Sequence, residues 1–318
     1  MQSIYNALAV PFGYIMHLFY NLSGNYLLSL FIVVLLVRLI LLPSSISQQK
    51  GSAKQLRLQP KVNRIRQKYS NGGQPSREMQ MKIQEETQAL YQKEGYSPMS
   101  GGCLPLLIQF PVMIGLYGVV RTPLSRVLAI SQDVILKAAE MLDVTVDASS
   151  RSGNMYEIGI LEQVTESNMP ANLAQYSEQL LRLKDQFMLF GKIDLTQTPS
   201  ISQPSLLWLI PATVLVLGIL TSIIMLQRQK QTNPEMAKNP SMGCMTFSSP
   251  LLSVMFTFWF PAGVGVYWIF SSLLTLIQTL VLNRTHSPQK VIASAMIDET
   301  VERRSREANI KKLKEFSE

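Results

Sequence analysis

Apolar and charged positions along this chain are segregated into blocks. Five blocks are almost wholly apolar: residues 23–46, 103–120, 205–226, 247–260 and 262–283. A helical span needs roughly 20 apolar residues to cross the hydrocarbon core, with about 17–25 the usual range. The first, third and fifth blocks meet that length, and the second is marginal. The fourth is short, but it runs into the fifth through Phe260, Pro261, Ala262 and Gly263. Pro followed closely by Gly predicts a tight turn between two tilted spans. The expected fold class is an all-α polytopic membrane protein with five transmembrane helices.

The remaining segments carry helical patterns of their own. In residues 1–22, Ile4, Leu8, Phe12, Ile15 and Phe19 recur at steps of three and four. That is one helix face, and it predicts an amphipathic helix lying in the outer interface. A sixth span broken at Pro11 is the alternative. Residues 47–102 predict a cytoplasmic helical hairpin. Its basic first arm, over 47–69, has Leu58, Val62, Ile65 and Tyr69 as an apolar stripe. A Gly- and Pro-containing turn follows, and a second arm over 77–94 shows Met79, Ile83, Leu90 and Tyr91 on one face. At 1.5 Å per residue the first arm is roughly 35 Å long. It reads either as a solvated connector or as a docking arm for a partner.

Residues 121–204 predict amphipathic helices over 124–142, 156–166 and 172–190, with an irregular stretch at 145–154, as a small external cap resting on the membrane. Residues 227–246 form a cytoplasmic loop. Residues 284–318 form a cytoplasmic tail with a helix of mixed charge, read as a solvated face or as a contact for ribosomal RNA.

Charge sets the orientation. The net charge is +8, but its distribution argues against a nucleic-acid protein. Residues 47–102 hold ten Lys/Arg against four acids, 227–246 three against one, and 284–318 eight against six. Residues 121–203 hold seven against ten, and residues 1–22 have no Lys or Arg. Basic residues near spans stay on the cytoplasmic side. The N-terminus and the 121–204 segment are therefore expected outside, and the C-terminus inside. The basic excess suits anionic lipid, and DNA is not expected as a partner.

No cleavable signal is expected, since no basic n-region or small-residue cleavage site opens the chain. Cys103 and Cys244 stand at or near cytoplasmic span ends, which argues against a disulfide. His17 and His286 offer no metal-ligand spacing. No Gly-rich P-loop with Lys occurs. No metal, cofactor, ATP hydrolysis or other enzymatic chemistry is expected.

Arg38 is the only charged residue within the five blocks. A guanidinium in hydrocarbon costs at least a few kcal/mol, so it needs water, a partner or a function. No Asp or Glu in those blocks can pair with it. It lies five residues before Pro43, about 7.5 Å along a helix, so snorkelling to the cytoplasmic headgroups is one reading. The other places it in a water-containing cavity, with Gln109, Ser271, Ser272, Thr275 and Gln278 as polar walls.

Four stretches carry a resemblance: VRLILLPSSISQQK at 37–50, LQPKVNRIRQKY at 58–69, YQKEGYSPMSGGCLPLLIQFPV at 91–112 and FWFPAGVGVYW at 258–268. In this order, between matching spans, they resemble the YidC/Oxa/Alb membrane protein insertase family over about residues 25–122 and 200–284. The short N-terminal segment is similar to the Gram-positive branch. The absence of a lipoprotein-type cysteine and the 80-residue outer segment depart from it. The resemblance implies five helices around a hydrophilic groove in the bacterial plasma membrane. Arg38 would stand as the groove arginine, with Gln109, Tyr267 and Trp268 lining the groove and Ser271 and Gln278 as further lining positions. The hairpin would be a mobile substrate-catching region, and the third and fifth spans a slide for the inserting segment.

The implied partners are nascent membrane proteins and the lipid bilayer. Contact with the ribosome and action beside the Sec translocon stay open. Two other classes compete on residues alone. A small-solute transporter or anion channel would use Arg38 as its anion site, but such proteins usually show repeats or paired broken helices, and neither is found. A purely structural assembly factor would need the apolar faces and not the arginine. No small-molecule substrate is expected.

Overall fold

The computed structural model describes residues 2–69, 76–96, 104–146, 155–232 and 240–285, with eight helical positions between 290 and 307. The side chains of Ile4, Leu8 and Gln109 lie outside the described residues, as do the turn at 70–75, Cys103, the stretch 147–154 and most of the tail. Among the described residues the structure is all-helical apart from one antiparallel hairpin of two-residue strands, Met188–Leu189 (β1) and Ile193–Asp194 (β2). It divides into two compact units. The first takes Met1–Ile40, Leu106–Leu226 and Asn239–Ile277, and the second takes Leu41–Pro105, Gln227–Lys238 and Gln278–Glu318.

The long helices are α1 (Gln2–Ser23), α2 (Tyr26–Ile40), α3 (Leu42–Tyr69), α4 (Arg77–Lys93) and α5 (Leu104–Arg121). A group of short helices follows: α6 (Pro123–Arg126), α7 (Gln132–Met141), α8 (Tyr156–Gln163) and α9 (Ser177–Phe187). Three long helices follow: α10 (Leu209–Thr232), α11 (Pro240–Thr257) and α12 (Ala262–Thr285). Among the described residues, Leu206–Arg228 and Ala262–Thr285 are each long and apolar enough to cross a membrane. Tyr26–Ile40 with Leu42–Gln49 makes a third if the pair is one span broken at Leu41.

In the first unit, α1 turns into α2 at Gly24, whose φ of 62° suits glycine at a helix end. Asn25 then caps α2, its side-chain oxygen accepting from the Leu28 amide at 2.9 Å. Gln186 at the end of α9 holds the same corner from across the unit. Its Oε1 accepts from the Tyr26 amide at 2.6 Å and its Nε2 donates to the Gly24 carbonyl at 2.8 Å. These are two of the orphan groups that helix ends leave.

The buried face of α1 differs from the one its hydrophobic pattern picks. Ala9, Gly13, Met16 and Tyr20 are buried, while Phe12 and Ile15 are only partly so. Close approach decides this. A Cβ on Gly118 of α5 would lie 2.6 Å from the Ala9 Cβ, and one on Gly13 would lie 2.9 Å from Arg126 Cδ. Small residues let helices pack backbone to backbone. Large apolar residues are then left for the flanks.

Proline in α11 has a matched acceptor problem. Pro250 has no N–H for the carbonyl of Thr246, four residues earlier. Buried Ser222 of α10 supplies the donor, its Oγ reaching Thr246 O at 3.1 Å. One helical turn before Ser222, Gly218 faces Pro250 so closely that a Cβ there would sit 2.7 Å from the proline Cβ. The two helices are fitted at this place.

In the segment 121–204, Leu124, Ile135, Ala139, Ile160, Leu173 and Phe187 are buried in one cluster that continues into α1, α2, α5 and α12. The single helix expected over 124–142 is broken between Arg126 and Gln132. Ala129 takes φ 55°, and Val127 and Ile130 on either side are buried. His17 Nδ1 donates to the Val127 carbonyl at 2.7 Å, and Asn21 Nδ2 donates to His17 Nε2 at 3.0 Å. The helix expected over 172–190 begins as a 3-10 turn, Ala171–Tyr176, and stops at Phe187, where the β1–β2 hairpin takes over. From that hairpin the chain returns to α12. The Leu195 and Gln197 carbonyls accept from the Gly263 and Ala262 amides, each at 2.8 Å.

In the second unit, α3 and α4 pack antiparallel. Leu58 and Val62 are buried and Ile65 and Tyr69 half-buried, the stripe that the spacing predicts. On α4, Ile83, Leu90 and Tyr91 are half-buried, but Met79 is exposed. Lys61 pairs with Glu94 at 2.5 Å and Lys68 with Glu86 at 2.7 Å. The Tyr69 hydroxyl also donates to Glu86 at 2.6 Å. Hydrogen bonds from Lys68 and Lys61 hold the carboxyls of Glu86 and Glu94 below their ordinary range. Both pairs are exposed and are worth little in stability.

Candidate functional site around Arg38

Arg38 lies three residues from the end of α2, half-buried. Its Nη2 donates to both oxygens of Ser271 on α12, to Oγ at 2.5 Å and to the carbonyl at 3.2 Å. Ser271 is itself buried. Thr275, one turn on, donates its hydroxyl to the same Ser271 carbonyl at 2.6 Å. That carbonyl therefore carries two hydroxyl- or guanidinium-borne donors besides its place in the helix. Near it, Phe31 of α2 packs edge-on against Phe270, with ring centres 5.3 Å apart. Phe31 and Arg38 are seven residues apart, on one side of α2.

The electrostatics are unusual for a guanidinium so placed. It has five N–H donors, and among the described residues only Nη2 finds acceptors. Both acceptors are neutral, and no carboxylate pairs with Arg38. The arrangement orients the cation by one edge and leaves its other edge available to an anion or to water.

The other sequence-picked residues distribute as follows. Tyr267 is buried on α12 one turn before Ser271, and Thr275 one turn after it, which places the three on one helix face. Trp268 is buried in a different setting. Its ring stacks on Phe256 at 6.1 Å with 6° between planes and lies 5.9 Å from Phe260, which packs in turn on Tyr117 at 4.8 Å. It joins an aromatic cluster from α5, α11 and α12. Ser272 is half-buried on α12. Gln278 falls in the second unit and is half-buried there. The side chain of Gln109 lies outside the described residues. Arg38, Ser271, Thr275 through the shared carbonyl, and Tyr267, which lies close enough to interact electrostatically with the guanidinium, are the residues the structure brings together.

One chemically loaded side chain escaped sequence reasoning. Glu157, in the first turn of α8, is fully buried. Its carboxylate accepts from the Ser125 amide at 2.9 Å and the Ser125 hydroxyl at 2.7 Å. Burial pushes its pKa up to about 7, opposed by the Ser125 hydrogen bonds and by Arg126. An acid in the first turn of a short helix that also carries Glu162 gives no sequence signal of this. Only the fold brings α6 over it.

Comparison with known proteins bears on the site. The family model described as 60Kd inner membrane protein matches residues 18–290. Membrane protein insertase YidC 2 of Listeria innocua is 25% identical over 293 residues, covering 91% of this chain and 76% of the relative. Membrane protein insertase MisCA of Bacillus subtilis is 26% identical over 276 residues, covering 85% and 77%. A shorter match, 40% identical over 114 residues, is to Membrane protein insertase YidC 1 of Halalkalibacterium halodurans, covering 35% of this chain and 43% of that one.

Proposed function

Because the chain belongs to the 60Kd inner membrane protein family, the YidC/Oxa/Alb insertases, we propose that it inserts newly made membrane proteins into the bacterial plasma membrane. It works there as an insertase and folding assistant without ATP hydrolysis. Five spans are assigned to α2 with the start of α3, α5, α10, α11 and α12. The N-terminus and the 121–204 segment lie outside, and the α3–α4 hairpin and the tail lie in the cytoplasm. The spans enclose a hydrophilic groove open to the cytoplasm and to lipid, with Arg38, Gln109, Tyr267 and Trp268 along it and Ser271 and Gln278 as further lining positions.

The observation that carries this reading is the half-satisfied guanidinium. Ser271 fixes one edge of Arg38, and the free edge suits a carboxylate that arrives with the substrate, by charge-assisted hydrogen bonds. An acidic N-terminal tail crossing hydrocarbon loses hydration of its charges and its backbone. Water in the groove shortens that crossing, and Arg38 holds the tail within it. The membrane potential then draws each acidic charge outward by about 2.3 kcal/mol per 100 mV. Meanwhile the apolar helix of the substrate partitions into lipid along α10 and α12, whose exposed faces carry Leu209, Val216, Leu220, Ile277 and Val281.

Reconstituted vesicles with an imposed potential test this. Arg38→Ala is expected to lower insertion of a substrate with an acidic translocated tail by about ten-fold or more, the scale of a lost charged hydrogen bond. A substrate with a neutral tail should be little affected, and Arg38→Lys should retain much of the activity. Equal insertion of the acidic substrate by the Ala variant would remove Arg38 from the mechanism.

A further inference from the structure

The β1–β2 hairpin turns through Leu189, Phe190, Gly191 and Lys192, and the Lys192 amide closes onto the Leu189 carbonyl at 3.1 Å. Both central residues have positive φ, 52° at Phe190 and 64° at Gly191. That is the mirror-image turn of tight hairpins, which favours Asn-Gly at its centre. A bulky aromatic in the first central position is a backbone outlier. Its side chain is also 86% exposed, more than any other large hydrophobic among the described residues. Among the described residues, no contact covers the Phe190 side chain.

What covers Phe190 follows from where the hairpin is held. Ile193 of β2 is buried, and β2 packs against the 3-10 turn Leu206–Trp208 that leads into α10. The residues after β2 bond to the first amides of α12. The hairpin thus sits at the ends of two apolar helices of spanning length. From that point α10 presents Leu209, Val216, Leu220 and Ile223 exposed along one face, the spacing of a lipid-facing stripe. Trp208 packs on Phe258 at 5.3 Å and donates its indole N–H to the Ser200 carbonyl at 2.8 Å, while Trp259 is exposed. Aromatics with a polar handle at span ends mark the level of the headgroups. Exposed Met188 flanks Phe190, and Lys192 beside it is exposed as well.

We propose that the hairpin tip is an interfacial anchor: Phe190 and Met188 enter the phospholipid leaflet beside the outer ends of α10 and α12, with Lys192 at the lipid phosphates. The anchor joins the 121–204 segment to the bilayer independently of the spans. It rests on the membrane embedding of α10 and not on insertase activity, so the two fail separately.

The full chain, with Cys103 and Cys244 replaced by Ser, is labelled with an environment-sensitive fluorophore at Phe190→Cys and reconstituted in vesicles of brominated phosphatidylglycerol and phosphatidylethanolamine. Val216→Cys on the exposed face of α10 reports lipid, and Glu166→Cys in an exposed loop reports water. The label at 190 is expected to shift to the blue and lose intensity to the brominated chains, as the label at 216 does. Behaviour matching position 166 overturns the proposal. Shielding from both lipid and aqueous quenchers indicates contact with a second copy and overturns it as well. In a second series the label sits at Met188→Cys, with and without Phe190→Asn, a substitution the turn itself favours. Loss of lipid quenching in the Asn variant is the expected result. Unchanged quenching removes Phe190 as the anchor.

Discussion

Arg38 and Glu157 are two charges met by opposite means. The guanidinium is held by neutral oxygens on one edge, whereas the carboxyl is enclosed and raised to a pKa of about 7 from 4.5. A folded-state pKa above the unfolded value means the folded chain binds more protons between the two. Stability of the 121–204 segment should therefore be greatest below about pH 4.5, fall as pH rises toward about 7, and level off beyond it, by on the order of 3 kcal/mol. Hydrogen exchange of α6 and α8 in the detergent-solubilised chain across this range measures it. Glu157→Gln should flatten the profile; a profile as steep in the Gln variant would assign the dependence elsewhere. Arg38 was legible in sequence because a lone cation in an apolar run is conspicuous. Ser271 was legible only as one of several polar residues on α12, since no spacing rule says which of them meets a side chain 233 positions away. Glu157 was not legible at all, for its chemistry comes from Ser125 folding over it.

Elements follow a similar division. The stripe Leu58, Val62, Ile65 and Tyr69 came directly from periodicity, because α3 packs on α4 with a single apolar face. The face of α1 did not, since packing there selects Ala9 and Gly13 for their small size, which hydrophobicity does not register. Likewise the break after Arg126 turns on Ala129 at positive φ, a conformation its residue type does not announce. The α10–α11 junction yields a prediction at this scale. Ser222→Ala removes the hydroxyl donor to the Thr246 carbonyl and should cost ~0.5–2 kcal/mol. The double variant Ser222→Ala with Pro250→Ala restores a backbone donor and should recover part of that loss. Thermal unfolding in detergent reads both, and no recovery in the double variant would mean that the donor Pro250 lacks is not what Ser222 replaces.

For the whole molecule, the proposed orientation rests on where the basic residues lie. Cysteines at Glu166 or Met141, introduced on a background with Cys103 and Cys244 replaced, should react with a membrane-impermeant reagent added to intact cells. One at Met81 on α4 should react only after permeabilisation. The reverse pattern would invert the topology and with it the assignment of the α3–α4 hairpin to the cytoplasm. Family membership was legible from four motif stretches within and beside the spans. The architecture of residues 121–204 was not, because none of those motifs reaches far into it and its helices are short and separately turned. The joint between that segment and α12 has a property that no side chain confers. Its acceptors, at Leu195 and Gln197, are main-chain carbonyls, so residues there can be exchanged for many others without removing them. Insertion or deletion of a single residue would slide both carbonyls off the helix end. The joint is strict about length: variants that lengthen or shorten this stretch should be poorly tolerated where a substitution at exposed Gln197, unlike one at buried Leu195, passes unnoticed.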